Sequence, residues 1–180
     1  MEGCQSRREI LWLVVDMKPR LCEAGKILRE MVDDAFIDRD RNSDGWIGDA
    51  RHSARVSDHN PDENGWVRAI DIDKDLRSHK SAAFDLADQL RICGKTDKRI
   101  KYVIFNHKIA SQKSKFEWKP YTGINPHEHH IHISFTQLAD HSNKRFNIPM
   151  LGGNDAGEDN QDSPVIRACS VCGCSVHVSG

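Results

Sequence analysis

Residues 127–132 read His-Glu-His-His-Ile-His, so four of the ten histidines in the chain fall within six positions. From His130 to residue 135, polar side chains alternate with isoleucine and phenylalanine. This period of two predicts a strand with two unlike faces, and it puts His130 and His132 on the same face. Neutral imidazoles on a rigid strand can place one nitrogen on a metal ion and another beside it. The alternatives are a solvated strand edge and a fortuitous tag-like run, but a tag would lie at a terminus and would lack the interleaved isoleucines, so we expect a functional site here.

Length and charge set the broad class of the protein. At 180 residues, the chain is long enough for one domain with a buried core. Its 26 basic and 27 acidic residues nearly cancel, which argues against nucleic-acid binding through bulk charge. The apolar run at residues 10–15 is shorter than the core of a secretory signal, and no segment is long enough to span a bilayer. We therefore expect a monomer made in the cytoplasm, with no signal peptide, no membrane insertion and no nucleic-acid partner.

Composition divides the chain into three segments. Residues 1–20 form an N-terminal extension, residues 21–150 a folded domain, and residues 151–180 an acidic, glycine-rich tail that we expect to be disordered. Six cysteines, three dispersed and three in the tail, do not resemble a disulfide framework. The tail also carries a cramped set of nominal zinc ligands, Cys169, Cys172, Cys174 and His177. Their spacing leaves little room for tetrahedral closure, so we expect reactive thiols there and no structural zinc site.

Hydrophobic periodicity predicts two helices and three strands. Apolar residues at helical spacing indicate amphipathic helices near 20–36 and 80–93, the second ending at Gly94. Runs of β-prone residues indicate strands near 66–73, 100–106 and 129–135. We therefore expect an α+β fold in which a small antiparallel sheet packs against the helices. The aromatic loop at 115–125 either floors a substrate groove above the sheet or caps the core.

Residues 38–49, which read DRDRNSDGWIGD, partly fit a calcium-binding loop. Asp40, Asn42 and Asp44 occupy alternate positions before a glycine, as such loops require. The twelfth position, however, is Arg51, where the loop needs a bidentate carboxylate. The segment is therefore predicted to be a plain turn.

A second polar stretch, residues 57–73, reads SDHNPDENGWVRAIDID. Turn-forming pairs lead into a strand on which Asp71 and Asp73 share a face. Burying a carboxylate without a cation is costly, so a metal ion explains an aspartate here, although aspartates that face water are the simpler alternative. His59 favours the metal, because with Asp71 and His132 it forms a candidate set of three ligands. Three protein ligands leave a zinc position open, as in catalytic sites.

The motifs Ser-x-His, Ala-x-Asp and His-x-His resemble those of the LAS-type zinc peptidases that cut peptidoglycan stem peptides. This group includes phage endolysin L-alanyl-D-glutamate peptidases, D-Ala-D-Ala carboxypeptidases and penicillin-insensitive murein endopeptidases, and the Hedgehog signalling domain shares their fold. The resemblance covers roughly residues 25–140. Its motif positions are Ser57, His59, Ala69, Asp71, His130 and His132, with His127 matching an additional histidine of the murein endopeptidases.

This chain departs from the family pattern in two places. Eleven residues separate His59 from Asp71, which is more than is usual, so Asp73 is the alternative ligand if the register slips. Some members have an acidic residue three positions before the last ligand, where this chain has His129. On a regular strand His129 points away from the face of His132.

The resemblance implies a zinc metallopeptidase with one catalytic ion, held by the three candidate ligands. His130 would be the principal acid–base group, assisted by His127, with Glu128 in reserve. For substrate binding, the resemblance and the neighbouring sequence suggest Ser57 together with Arg55 or Arg51.

The biological setting that the resemblance implies is that of a phage endolysin. Such an enzyme would accumulate in the host cytoplasm, need a holin-type membrane-permeabilising protein for release, and then act on peptidoglycan stem peptides. Two alternatives are a bacterial D-Ala-D-Ala carboxypeptidase and a zinc-stabilised binding module without catalytic activity, as in the Hedgehog domain.

Overall fold

The structure, a computed structural model, describes residues 18–48 and 56–153. Its strands are β1 (Arg20–Leu21), β2 (Trp66–Val67), β3 (Ala69–Asp73), β4 (Ile100–Phe105), β5 (Lys108–Ser111), β6 (Lys119–Pro120) and β7 (His130–Phe135). Its α-helices are α1 (Glu23–Ala35) and α2 (Ala82–Thr96), and short 3₁₀ helices lie at Gln112–Ser114, Gln137–Ala139 and Pro149–Leu151. The predictions for Arg51, Arg55, most of the N-terminal extension and the cysteine-containing tail lie outside the described residues.

Five strands form an antiparallel sheet in the order β3-β7-β4-β5-β6. The histidine strand β7 is paired on both sides, with β3 and with β4, which fixes its register twice over. The two helices pack against this sheet, and β1 and β2 form a small parallel pair. The prediction of an α+β fold with an antiparallel sheet and two helices is therefore confirmed.

The two faces of the sheet differ as the sequence alternation predicts. One face joins the two helices in the core, through side chains that include Leu28, Met31, Leu86, Leu90, Ile70, Ile131 and Ile133. Because strand side chains alternate, the opposite face carries Asp71, His132 and Ser134. The core therefore packs against one face of the sheet, and these polar residues lie together on the other face.

The boundaries of the first helix and of the first predicted strand differ in the structure. The first helix begins at Glu23, because Arg20 and Leu21 pair with β2, and Cys22 N donates to Val67 O at 3.0 Å. The predicted strand at 66–73 is interrupted at Arg68, whose backbone N donates to Asp58 O at 3.0 Å. The chain therefore passes from one sheet to the other at this residue.

Gly94 does not end the second helix, which continues to Thr96. A Cβ at Gly94 would overlap the ring of Phe116, which is itself buried. The glycine is required for close packing of the 115–125 loop on the helix, so the prediction of a helix stop was wrong. Within residues 18–48 and 56–153, neither helix is long and apolar enough to cross a membrane.

Candidate metal centre

His59, Asp71 and His132 meet in a buried group that can hold a metal ion. His59 Nε2 lies 3.1 Å from His132 Nδ1 and 3.3 Å from Asp71 Oδ2, and His132 Nδ1 lies 3.0 Å from Asp71 Oδ1. The candidate ligand atoms all lie within 4.8 Å of one another. The structure thus brings together the three residues that the sequence motifs suggested as ligands.

Strand pairing and one tight turn position the three side chains. Asp71 on β3 is directly opposite His132 on β7, so the two share a face. Asp62 closes the longer connection between His59 and Asp71, since its Oδ1 accepts from Asn64 N at 2.8 Å and from Trp66 N at 2.9 Å. The additional residues therefore form a compact turn and leave His59 in contact with Asp71.

Each histidine uses its second ring nitrogen to hold the ring in place. His59 Nδ1 lies 3.2 Å from Trp46 O, and His132 Nε2 lies 3.0 Å from Ser134 Oγ. Because a carbonyl oxygen only accepts, Nδ1 of His59 carries a proton, and Nε2 is the ring nitrogen directed at Asp71 and His132. Metal-ligating histidines in proteins are held in the same way.

The donor set fits zinc. Two imidazole nitrogens and one carboxylate are zinc ligands, and three protein ligands leave a further position open. With the protons of both rings directed outward, the two inner nitrogens would face each other as lone pairs, and a proton or a metal ion between them removes that repulsion. The site therefore has the chemistry of a cation site.

The pKa shifts of Asp71 and His59 also indicate that the group attracts positive charge. Burial by itself raises the pKa of Asp71, but hydrogen bonds from His132 and His59 outweigh it and hold the pKa well below its usual range. Burial lowers the pKa of His59, yet the hydrogen bond and charge of Asp71 raise the pKa above its ordinary value. Asp71 is thus an ionised acceptor around which the histidines are arranged.

The calcium-like loop supports this site and is built around a buried arginine. Arg39 Nη1 and Nη2 donate to the two carboxylate oxygens of Asp44 at 2.8 and 2.5 Å. Asp44 Oδ1 also accepts from Asp73 N at 2.8 Å. A guanidinium thus neutralises a carboxylate that a calcium ion would need, in line with the prediction of a turn.

The same loop reaches two of the candidate ligands. Gly45 and Asp71 exchange backbone hydrogen bonds, of 3.2 Å to Asp71 O and 2.7 Å to Gly45 O. The next residue, Trp46, supplies the carbonyl oxygen that accepts from His59. Asp73, the alternative ligand, lies outside the group, because its carboxylate accepts from the backbone N of Ser43 and of Asp75 at 2.8 Å each.

His127 and His130 lie beside the three candidate ligands. His130 Nε2 is 3.6 Å from Asp71 Oδ1, and the His127 ring centroid is 5.1 Å from that of His130 and 5.3 Å from that of His132. Burial, together with the charges of His132 and His130, lowers the pKa of His127 to about 4. Burial also lowers the pKa of His130. Two neutral imidazoles therefore border the site at neutral pH.

The backbone at His127 is held in a costly conformation. Its φ angle is +56°, in the left-handed region that non-glycine residues seldom adopt. The hairpin between β4 and β5 anchors it, since Asn106 N donates to His127 O at 3.0 Å and His107 N donates to Pro126 O at 2.9 Å. Among the described residues, His127 Nδ1 has no hydrogen-bond partner although it is buried. Strain and an unsatisfied polar atom at one residue are features that cluster at functional sites.

Glu128 faces away from this group. Its Oε1 lies 2.6 Å from Nε2 of His107, and both side chains are about half exposed, at 47% and 59%. His129 is also exposed, and it lies just before the strand, which begins at His130. The structure therefore places His130 and His127 beside the candidate ligands, and Glu128 at the hairpin.

The aromatic loop at residues 115–125 contacts both the core and the candidate site, the two locations considered for it. Trp118 belongs to the core side, where its Nε1 donates to Asp88 on α2 at 3.0 Å. Tyr121 belongs to the site, where its ring meets the ring of His127 edge-on at a centroid distance of 5.3 Å. The loop thus both packs on the helix and walls the histidine group.

Ser57 lies next to the candidate ligands, and its Oγ accepts from His59 N at 3.2 Å. It also lines an open cavity of about 250 Å³ with Asp58 and Trp66. Its predicted contact with substrate stays a prediction, as does that of Arg55, which is outside the described residues.

Three residues of the site carry no motif that would reveal them in the sequence. Trp46 acts through its backbone carbonyl, which any residue could supply. Ser134 was visible only as a polar position on the histidine face. Tyr102 stacks on His132 at a centroid distance of 5.5 Å because β4 pairs with β7, a pairing that local pattern does not specify.

Comparisons of the chain with protein-family models, with curated proteins and with solved structures found no match. The class that the fold and site define is therefore an α+β domain with a buried His–Asp–His group that can hold a metal ion.

Proposed function

We propose that the protein is a zinc metallopeptidase that hydrolyses an amide bond in peptidoglycan stem peptides, as phage endolysins do. The observation that carries the proposal is the combination of three candidate ligands with two neighbouring neutral histidines. A purely structural metal site would gain nothing from bases beside an open ligand position. The motif resemblance supplies the substrate class.

Zinc at this site would supply Lewis-acid chemistry, by lowering the pKa of a water molecule to about 7 and polarising a carbonyl group. His59, Asp71 and His132 would hold it. The carboxylate of Asp71 balances the positive charge, and the buried histidine rings keep the position fixed.

His130 is the acid–base group in this proposal. Its Nε2 lies on the ligand side of the site, 3.6 Å from Asp71 Oδ1, and its lowered pKa keeps the ring neutral and able to accept a proton. It takes the proton of the attacking water and returns it to the leaving amine, a role worth about 10²- to 10⁴-fold in rate. His127 borders the same position and stabilises the charge that develops there.

Mass spectrometry of fragments released from purified peptidoglycan tests the proposal. The zinc-loaded protein should produce new amino and carboxyl termini, and His132→Ala should not, because it removes a ligand. The fragments also identify the bond: release of a terminal D-alanine alone would assign a carboxypeptidase, and internal cleavage an endopeptidase. No release by folded protein that contains zinc would contradict the proposal and favour a binding module.

A further inference from the structure

The described part of the calcium-like loop covers the outer edge of β3, which is an end strand of the five-stranded sheet. Gly45 pairs with Asp71 through two backbone hydrogen bonds, and Gly48 N donates to His59 O at 2.9 Å. The carbonyl oxygen of Trp46 also holds the ring of His59. One loop therefore contacts two of the three candidate ligands, Asp71 through its backbone and His59 through both its backbone and its ring.

The buried guanidinium group of Arg39 lies at the centre of this loop. Besides both carboxylate oxygens of Asp44, it reaches Asp33 Oδ1 through Nε at 2.8 Å and the backbone O of Asp40 through Nη1 at 3.0 Å. Carboxylate and backbone carbonyl oxygens are also the ligands that a calcium ion takes in such a loop. The Arg39 side chain is fully buried. The arginine thus supplies the positive charge that a calcium-binding loop obtains from its ion.

Asp44 links the arginine to β3. Its Oδ1 accepts from Arg39 Nη1 and from Asp73 N, each at 2.8 Å. The next residue is Gly45, whose backbone pairs with that of Asp71. Because the side chain of Asp44 is only 9% exposed, loss of the guanidinium would leave a nearly buried charge without a counter-ion. The loop would then move toward water, away from the strand that carries the ligand.

We propose that Arg39 is an internal cation that takes the place of calcium in this loop and thereby positions His59 and Asp71 for metal binding. It acts through the loop and not as a ligand, so it is a positioning residue. The inference rests on the metal centre of the proposed function and not on the bond that is cleaved. Loss of the groups that orient metal ligands typically weakens metal binding about 10- to 100-fold, and a residue one step further away belongs at the lower end of this range.

Zinc affinity, measured by competition with a chromophoric chelator at neutral pH, is the first test. Arg39→Met should raise the zinc dissociation constant about tenfold, because it removes the charge while a long side chain still fills the site. Arg41→Met is the matched control, since Arg41 pairs with the same Asp33 carboxylate at 2.9 Å but its side chain is 46% exposed. This control should leave the zinc affinity unchanged. Unchanged affinity in a folded Arg39→Met protein would overturn the proposal.

Two further comparisons test whether the charge of Arg39 is what matters. Arg39→Lys is similar to Arg39→Met in volume but keeps a positive charge, so it should lose less zinc affinity. Calcium at about 1 mM should leave the zinc affinity of the wild type unchanged, because the arginine already neutralises Asp44. Equal losses in the two variants, or a wild-type zinc affinity that depends on calcium, would overturn the proposal.

Amide hydrogen exchange follows the loop independently of zinc and of peptidoglycan. In the metal-free wild type, the Asp71 amide should exchange slowly, because it donates to Gly45 O at 2.7 Å. Asp44→Asn weakens the pairing with Arg39 but keeps the shape of the side chain, and it serves if Arg39→Met does not fold. It should speed the exchange of Asp71 and leave that of Ile133 on β7 unchanged.

The wild-type protein alone can also decide the matter. Rapid exchange of the Asp71 amide in the wild type would overturn the proposal, and so would unchanged exchange in a folded Asp44→Asn protein. A wild type that binds zinc and shows this dependence on Arg39, but releases nothing from peptidoglycan, would refute the proposed activity and leave the inference standing.

Discussion

At the scale of single residues, His130 and His129 are adjacent in sequence but lie in different surroundings. The side chain of His130 is 17% exposed and faces Asp71, whereas His129 is exposed to solvent. We expect His130→Gln to lower the rate of stem-peptide cleavage about 10²- to 10⁴-fold, because the acid–base group is lost. Chromatography of the released peptides measures this rate, and His129→Gln is the matched control with near wild-type activity.

Zinc content distinguishes the outcomes of that experiment. His130→Gln should still bind one zinc ion, since His130 is outside the group of three ligands. Loss of zinc would show that His130 is a ligand, and full activity would assign the proton transfer to His127.

The raised pKa of His59 predicts a pH dependence of metal binding. Burial lowers the pKa, but Asp71 outweighs burial and raises the pKa above its ordinary value of about 6.5. A protonated ring cannot bind a metal, so zinc affinity should fall as the pH drops through this raised pKa, by about tenfold per pH unit for one displaced proton. Chelator competition between about pH 5 and 8 measures the slope. His79→Gln, which changes an exposed histidine, should give the same profile, and a flat profile in the wild type would contradict the assignment of His59 as a ligand.

The stability of the metal-free protein depends on pH in the opposite direction to its zinc affinity. There the protonated His59 pairs with Asp71, which stabilises the fold at pH values below the unfolded pKa of about 6.5. This contribution is lost as the pH rises through the folded pKa of His59. Metal binding and metal-free stability therefore respond to the same group in opposite directions.

At the scale of elements, the sequence predicts those helices and strands that have a long, regular hydrophobic pattern. Alternation was sufficient for β3 and β7, and helical spacing for α1 and α2, because each buries one side over several residues. It was not sufficient for β1 or β6, which are two residues long and exist through pairing with distant segments. For the same reason the motifs identified the three candidate ligands but not Trp46, whose contribution is a backbone carbonyl positioned by a loop.

Gly94 on α2 illustrates how packing can override a local signal. Alanine is the better helix former by about 1 kcal/mol, but a Cβ here would overlap the buried Phe116 ring, and overpacking costs about 1–3 kcal/mol. We therefore expect Gly94→Ala to lower the free energy of unfolding by about 1 kcal/mol, measured by urea denaturation. The double variant with Phe116→Leu should lose less stability than the sum of the single changes. A Gly94→Ala protein more stable than the wild type would show that the ring moves aside freely.

At the scale of the whole molecule, the core and the candidate metal centre lie on opposite faces of one sheet. The core contains the apolar sides of both helices and of β3, β4 and β7. The candidate ligands extend from the other face, and their rings are held by Trp46 O and Ser134 Oγ through contacts that do not require a metal ion. The fold therefore has a source of stability that is independent of the metal.

This separation predicts that a chelator removes activity without unfolding the protein. Metal that binds only the native state adds RT ln(1 + [L]/Kd), about 2.7 kcal/mol when the free ion is at 100 times its Kd, which raises the melting temperature by several degrees. We therefore expect the zinc-free protein to keep a cooperative melting transition at a lower temperature, measured by calorimetry, and zinc to restore both the temperature and the activity. His132→Ala should melt at the same temperature with and without zinc. Disappearance of the transition on chelation would mean that the metal completes the fold. That is the behaviour of a zinc-stabilised binding module, in which metal binding supplies the free energy that makes folding favourable.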